Sequence, residues 1–270
     1  MKLICLVILS FISRVGFSQN NIKIFSIKEG DKTVLYAQNN EFCPVSIVLS
    51  LVLQNLHAID YDDGVYIIPG QTNKLKLIEL TKIKSGRTTY SYSYKAVYGD
   101  VKQTSYDGDY VYDLPYRKGR QFRIEQGYFS RFTHQYENAL DFNMTEGTEI
   151  RAARGGVVIA VVQNFAEACL QEECKKMNNY VLIYHADGTI ADYSHLQFNG
   201  AKVAVGDTIR KGDFIALSGN TGYTKGPHLH FVCFLPGFEN RRTVRTRFRT
   251  GDGKIAVYLT ENKTYRKNYP

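Results

Sequence analysis

His228-Leu229-His230 opens an apolar run that continues to Leu235. In an extended strand, residues i and i+2 project to one face, about 7 Å apart. The two imidazoles then stand side by side, while Leu229, Phe231 and Cys233 point into the opposite, apolar layer. Such a pair lets one ring ligate a metal while its neighbour handles a proton on the metal-bound water. A His-x-His pair also occurs on ordinary strand surfaces, so it needs companions. His195 is one: it ends the segment Ile190 to Leu196 and shares parity with Tyr193. His134 and Asp141 form an upstream pair with six residues between them. Three His/carboxylate ligands with an open fourth position make a catalytic zinc arrangement, unlike a closed structural site. Imidazole and carboxylate without thiolate suit Zn²⁺. His57 stands apart and reads as a surface residue, and His185, beside the Asp187-Gly188 turn, reads as a cap on its hairpin.

The elements that must position these residues read as strands. Gly155-Gly156 turns into the buried-strand run Val157 to Val162, and Tyr180 to His185 is a second strand. Asp187-Gly188 reverses it into Thr189 to Leu196, a hairpin. Gly206-Asp207 and Gly212-Asp213 bracket Thr208-Ile209-Arg210, Phe214 to Ser218 is a strand, and Gly219-Asn220-Thr221-Gly222 is a loop before the histidine strand. No segment carries a 3.6-residue period, so residues 120–236 read as a mostly antiparallel β domain. Residues 20–115 also read as short strands with hairpin signals at Asp62-Asp63-Gly64 and Asp107-Gly108, the pattern of a small β-sandwich. Within it Tyr90, Tyr92 and Tyr94 fall on one strand face, which is either a sugar-stacking surface or the half-buried side of a sheet. Leu114 to Gly119 is a break in texture punctuated by Pro115. The expectation is an all-β chain: a β-rich accessory domain over 19–115, the histidine-bearing domain over 116–236, and a basic β extension over 237–270.

Residues 1–18 read as a secretory signal peptide: Lys2, an apolar stretch from Leu3 to Ile12, and small residues Gly16 and Ser18 before a cut ahead of Gln19. Export to a bacterial periplasm, cell envelope or extracellular space is therefore expected. No apolar run reaches the 18 or so residues of a spanning helix, and 22% charged with 13% aromatic residues excludes a disordered chain. The net charge of +8 could suggest nucleic acid as a partner. The excess lies in residues 237–270, where Arg241, Arg242, Arg245, Arg247, Arg249, Lys254, Lys263, Arg266 and Lys267 face only Glu239, Asp252 and Glu261, while 19–236 is balanced. Arg241, Arg245, Arg247 and Arg249 share a parity and would share one strand face, either solvated or turned toward a polyanion. Nucleic acid is not the expected partner. Cys169 and Cys174 enclose a polar tetrapeptide and can form a disulfide in an exported chain; a metal pair there would lack a second pair of soft ligands. Cys233 reads as a buried thiol.

In order along the chain, Gly206-Asp207, Lys211-Gly212-Asp213, Ser218-Gly219-Asn220-Thr221-Gly222 and Gly226-Pro227-His228-Leu229-His230-Phe231 resemble the lysostaphin-type (LytM-like) zinc endopeptidases. Tyr193-Ser194-His195-Leu196 is similar to that family's tyrosine–histidine–leucine segment. Ala139-Leu140-Asp141-Phe142, with Gly147-Thr148 and Ala152 to Val158, is similar to its opening ligand strand and the hairpin that follows. The resemblance covers roughly residues 128–236. It implies a peptidase domain with a groove, one Zn²⁺ per chain held by His134, Asp141 and His230, and catalytic roles for His228 and His195 beside the metal-bound water. It also implies peptide bonds of peptidoglycan stem peptides or cross-bridges as substrate. The family usually has three residues where this chain has six between His134 and Asp141.

That resemblance implies hydrolysis by metal-activated water, with His228 as base and His195 as the donor to the oxyanion. No His-Glu-x-x-His helix and no Gly-x-Ser-x-Gly elbow are present, so neither a glutamate-based zincin nor a serine hydrolase is expected. Two alternatives stand beside the peptidase. A catalytically silent relative that binds the wall or activates another hydrolase would have eroded ligand positions, whereas all five positions here hold the required side chains. A basic β-rich polyanion binder would use the Arg241–Arg249 face and leave the histidines without a role.

Overall fold

The computed structural model describes residues 21–270, so the expected signal peptide lies outside the described residues. Among these residues every regular element is a strand except one 3₁₀ turn, Glu172–Met177. The β-branched and aromatic composition of the runs and the turn residues between them account for this. The first unit is two facing sheets. One is ordered Ile22–Glu29, Lys32–Asn39, Thr72–Lys82, Leu56–Ile59, and the other Val65–Ile68, Val45–Gln54, Thr89–Tyr98. The tyrosine stripe lies between them. Tyr92 and Tyr94 donate hydrogen bonds to the carbonyls of Ile24 (2.9 Å) and Ile22 (3.2 Å) on the edge of the opposite sheet, and Tyr90 bonds Ser26. The stripe therefore ties the sandwich together.

The second unit is built on a nine-stranded sheet. Its order is Thr208–Ile209, Gly156–Val162, Tyr180–Tyr184, Ile190–Ser194, His228–Leu235, Ala139–Asn143, Gln121–Gln126 and Thr264–Arg266, with Arg242–Val244 pairing off His228–Leu235. One face buries Leu229, Phe231 and Cys233 with Leu140, Phe142, Val181, Ile183 and Tyr193. The other face carries the histidines at one end. At the other end it packs on the sandwich, where Ile159, Ala160, Leu182, Ile190 and Phe234 share a core with Leu35, Ile47 and Leu49. Phe234 keeps the parity of His228 and His230, so the sandwich and the histidines occupy the same face. Each fully buried aliphatic side chain in that junction contributes roughly 1.5–3 kcal/mol.

The C-terminal extension is woven into this unit. Arg247–Thr250 pairs in parallel with Val111–Asp113, Thr264–Arg266 pairs with Gln121–Gln126, and Phe248 is fully buried among the core aromatics. Val111–Asp113 thus joins the second unit although it precedes the break at Leu114 to Gly119. The single arginine face expected over 241–249 does not form. The strand is interrupted at 245–246, where the chain leaves His228–Leu235 to pair with Val111–Asp113. The arginines are instead spent on local partners. Arg241 binds Glu137 and Asp192, Arg249 forks onto buried Asp113, and Arg245 stacks over Tyr128 and Tyr258. Cys233 is a buried thiol, and His57 lies exposed on Leu56–Ile59.

Candidate metal centre

The site grows from strand register. Asp141 lies opposite His230 and Asn143 opposite His228, while Ser194 flanks His230 on the other side. Because Leu140 and Phe142 point into the core, Asp141 must point to the histidine face. His230 Nδ1 is then 2.9 Å from Asp141 Oδ1, and His228 Nε2 is 3.7 Å from the same oxygen. His134 comes from the loop before the aspartate strand. The six intervening residues are taken up by a turn in which the Glu137 amide bonds the His134 carbonyl at 3.0 Å, and Arg241 grips the Glu137 carboxylate. His134 Nε2 consequently reaches to 3.2 Å from Asp141 Oδ1. One ligand atom from each of His134, Asp141 and His230 lies within 4.8 Å of the others.

His195 reaches the site by a route that strand parity does not give. Tyr193 is paired with Phe231 and is wholly buried in the core. Strict alternation would send His195 to that same apolar side. The chain instead leaves the strand at His195 with φ +62°, a left-handed backbone that side chains other than glycine seldom adopt. Asn178 stabilises it by accepting the His195 amide at 2.9 Å on Oδ1. The ring swings to the histidine face, with its centroid 4.6 Å from that of His228 and 5.8 Å from that of His230.

Three rings have their proton placed by a carbonyl. The Nδ1 of His134 donates to Gly127 (3.1 Å), that of His195 to Thr221 (2.7 Å) and that of His228 to Gly226 (2.8 Å). In the neutral ring Nε2 then carries the lone pair. Burial alone would raise the Asp141 carboxyl, but its close contacts with His134 and His230 and the charge of His230 and His228 hold it well below the usual carboxylate range. Burial alone would lower His134, yet its contact with Asp141 leaves it raised. His195 is pushed down to about 3 by burial first, then by repulsion from His228 and His230. The buried His134 Nε2 satisfies no hydrogen bond. A cation held between it, Asp141 and His230 would satisfy that atom, and the donor set of two imidazoles and a carboxylate is the one zinc favours. The residues fit the metal.

The structure thus brings His134, Asp141, His195, His228 and His230 together. His185 lies elsewhere. Its amide closes the hairpin by donating to Thr189 at 2.8 Å, and its buried ring donates from Nδ1 to Gly155 at 2.8 Å. Gln126 gave no signal in the sequence. It donates from Nε2 to the second Asp141 oxygen at 2.5 Å, and its Oε1 accepts the Thr133 amide at 3.2 Å. Asn178, Thr221 and Thr224 were equally hidden as orienting groups. Only Thr221 stood in a notable motif, the Asn-Thr-Gly loop.

A β-sheet face carrying a His/Asp/His set with two further imidazoles defines a metallopeptidase-like domain. Residues 135–239 match peptidase family M23. His134 stands one residue before the match. The chain is 27% identical over 229 residues to a protein of Buchnera aphidicola subsp. Baizongia pistaciae named an uncharacterized metalloprotease, covering 84% of this chain and 52% of that one. It is 35% identical over 102 residues to the peptidoglycan DD-endopeptidase ShyA of Vibrio cholerae, covering 37% of this chain and 20% of that one. The chain therefore spans about half the length of the first relative and a fifth of the second. Among solved structures, the catalytic domain of lysostaphin from Staphylococcus simulans aligns at 23% identity with a TM-score of 0.35, over 46% of this chain and 87% of that domain.

Proposed function

We propose that the chain is an exported zinc metalloendopeptidase that hydrolyses peptide bonds in peptidoglycan stem peptides or cross-links. The observation that carries this reading is the convergence of His134, Asp141 and His230, with two more imidazoles beside them whose Nε2 lone pairs are free. The named activity of ShyA supports the substrate class. The signal-like residues 1–18 and the Cys169–Cys174 disulfide support export. One Zn²⁺ would be held by His134 Nε2, Asp141 and His230 Nδ1. When bound it supplies Lewis acidity toward a peptide carbonyl and water.

The chain's own residues supply the proton chemistry. His228, its Nδ1 proton fixed on Gly226, takes a proton from the attacking water at Nε2 and returns it to the leaving amine. His195 is neutral at rest, because burial and its neighbours oppose the cation. Its Nε2 becomes a donor to the tetrahedral oxyanion when the ring takes up a second proton from solvent as that negative charge develops, and it returns the proton to solvent when the oxyanion collapses. Gln126 holds Asp141 in place throughout. The test is zymography of the purified chain on peptidoglycan, with and without chelator, followed by mass analysis of the fragments. Chelator-sensitive release of peptides with new amino termini is expected. Intact peptidoglycan after incubation with the zinc-loaded chain would refute the activity.

A further inference from the structure

Between the strands Gly156–Val162 and Tyr180–Tyr184 the chain makes an excursion, residues 163–179, that no step of the proposed hydrolysis uses. Its base is tied by Asn179, which donates from Nδ2 to the Phe165 carbonyl (2.8 Å) and accepts the Phe165 amide on Oδ1 (3.0 Å). Its tip is closed by the Cys169–Cys174 disulfide, with Cys174 buried on the turn Glu172–Met177. The stretch Ala168–Cys169 pairs in parallel with Gly222–Tyr223. The Gly222 amide donates to Glu167 (2.8 Å) and the Thr224 amide to Cys169 (3.3 Å). Gly222, at φ +84°, packs so closely on Asn178 that a Cβ would lie 3.0 Å from the Asn178 Cα.

The two segments clamped this way are the ones that orient both imidazoles outside the ligand set. Asn178 holds the His195 amide and donates to the Ser194 hydroxyl at 3.0 Å. The Thr221 carbonyl takes the His195 Nδ1 proton at 2.7 Å. Thr224 Oγ1 lies 3.3 Å from His228 Nδ1 and donates to the Gly226 carbonyl, which itself receives that ring's proton. The ligands hang on other supports: His134 on Gly127, Asp141 on Gln126, His230 on the central strand.

We propose that the Cys169–Cys174 disulfide is a positioning element for His195 and His228: it clamps Gly222–Thr224 against the excursion and so sets the orientation and tautomer of both rings without supporting the metal. This rests on the peptidase reading only for its effect on turnover; the geometry of the rings can be read separately.

The experiment compares the zinc-loaded chain with its C169S/C174S variant, and with wild type reduced in the folded state by a dithiol, which is itself oxidised to its disulfide as the bridge takes up two electrons and two protons. Nitrogen-15 histidine spectra read the tautomers directly. The oxidised chain should show both rings protonated at Nδ1. The variant and the reduced chain should show exchange between tautomers at His195 and His228, with zinc content and the His134 and His230 signals unchanged. Turnover of dye-labelled peptidoglycan should fall about 10- to 10²-fold in kcat with little change in KM, the cost of misplacing a reacting group by a fraction of an ångström to one ångström, and reoxidation should restore it. Fixed tautomers in both bridge-free forms would overturn the proposal, as would loss of zinc in parallel with the tautomer change. An oxidised chain with the expected tautomers but no turnover would count against the peptidase reading alone, because the spectra still decide the role of the bridge.

Discussion

Replacing Gln126 by leucine removes the amide that donates to the outer oxygen of Asp141 at 2.5 Å. Asp141 is almost fully buried, and its two oxygens divide their work: Oδ1 faces His134 and His230, while Oδ2 accepts from Gln126. Leucine is close in volume and keeps the strand, so the change leaves the carboxylate oxygen without its donor. A hydrogen bond to a charged group is worth about 1.5–3 kcal/mol. Outer partners of metal ligands are worth about 10- to 100-fold in metal affinity, or roughly 1.4–2.7 kcal/mol. The two ranges agree, so the zinc Kd of Gln126→Leu should rise 10- to 100-fold, measured by competition with a chromogenic chelator. The substitution also frees the Thr133 amide, which Gln126 Oε1 accepts at 3.2 Å. Thr133→Val removes only the hydroxyl contacts to Gln126 and should bind zinc like wild type. A Gln126→Leu affinity indistinguishable from wild type would refute the assignment of this glutamine as the support of a metal-binding Asp141.

Purified chain should carry about one zinc, as a three-ligand catalytic site does, and Asp141→Ala or His230→Ala should abolish it by metal analysis; His134→Ala tests the long spacer separately, and full occupancy in all three would reject the ligand set. His228→Ala should retain zinc and lose about 10²- to 10⁴-fold in turnover, and His195→Ala about 10²- to 10³-fold; an empty site in His228→Ala would mean that the ligand and base roles within His-Leu-His are exchanged. His185, pushed down to about 4 by burial and then by Arg154, is neutral in the fold at neutral pH. Its share of stability is complete above the unfolded value of about 6.5 and is lost as pH falls toward 4, roughly 3 kcal/mol in all. Denaturant melts of wild type and His185→Gln should therefore converge between pH 7 and 4, and a constant difference would contradict a buried neutral ring. Asp113→Asn leaves Arg249 and the buried Lys267 facing no charge, and should destabilise the chain by about 3–5 kcal/mol, read as a lower urea midpoint.

Much of the second unit was legible because its signals are local. Alternation in His228–Leu235 forced His228 and His230 onto one face and Leu229, Phe231 and Cys233 onto the other, and the same alternation around Asp141 set its direction. The glycine-rich turns reported the hairpins because only a few residues tolerate the backbone they need. The tyrosine stripe showed its period but not its role, since whether a face meets solvent or a second sheet depends on what packs there. The tail arginines were visible as charge, yet their destinations were not. Asp113, Glu137 and Asp192 are distant in sequence and became partners only when the extension returned to the sheet.

Sequence by itself determined the donor types of the site, the strand that carries two of the rings, and the cysteine pair, because residue chemistry and period two are properties of short segments. Tertiary structure decided what alternation could not express. His195 shares the parity of a core tyrosine, and only the left-handed turn braced by Asn178 brings its ring to the histidine face. His134 sits six residues before Asp141, and only the turn pinned by Arg241 closes that distance. Gln126 became a partner of Asp141 through pairing of neighbouring strands. These contacts join segments far apart in the chain, and their geometry exists only once the sheet has assembled.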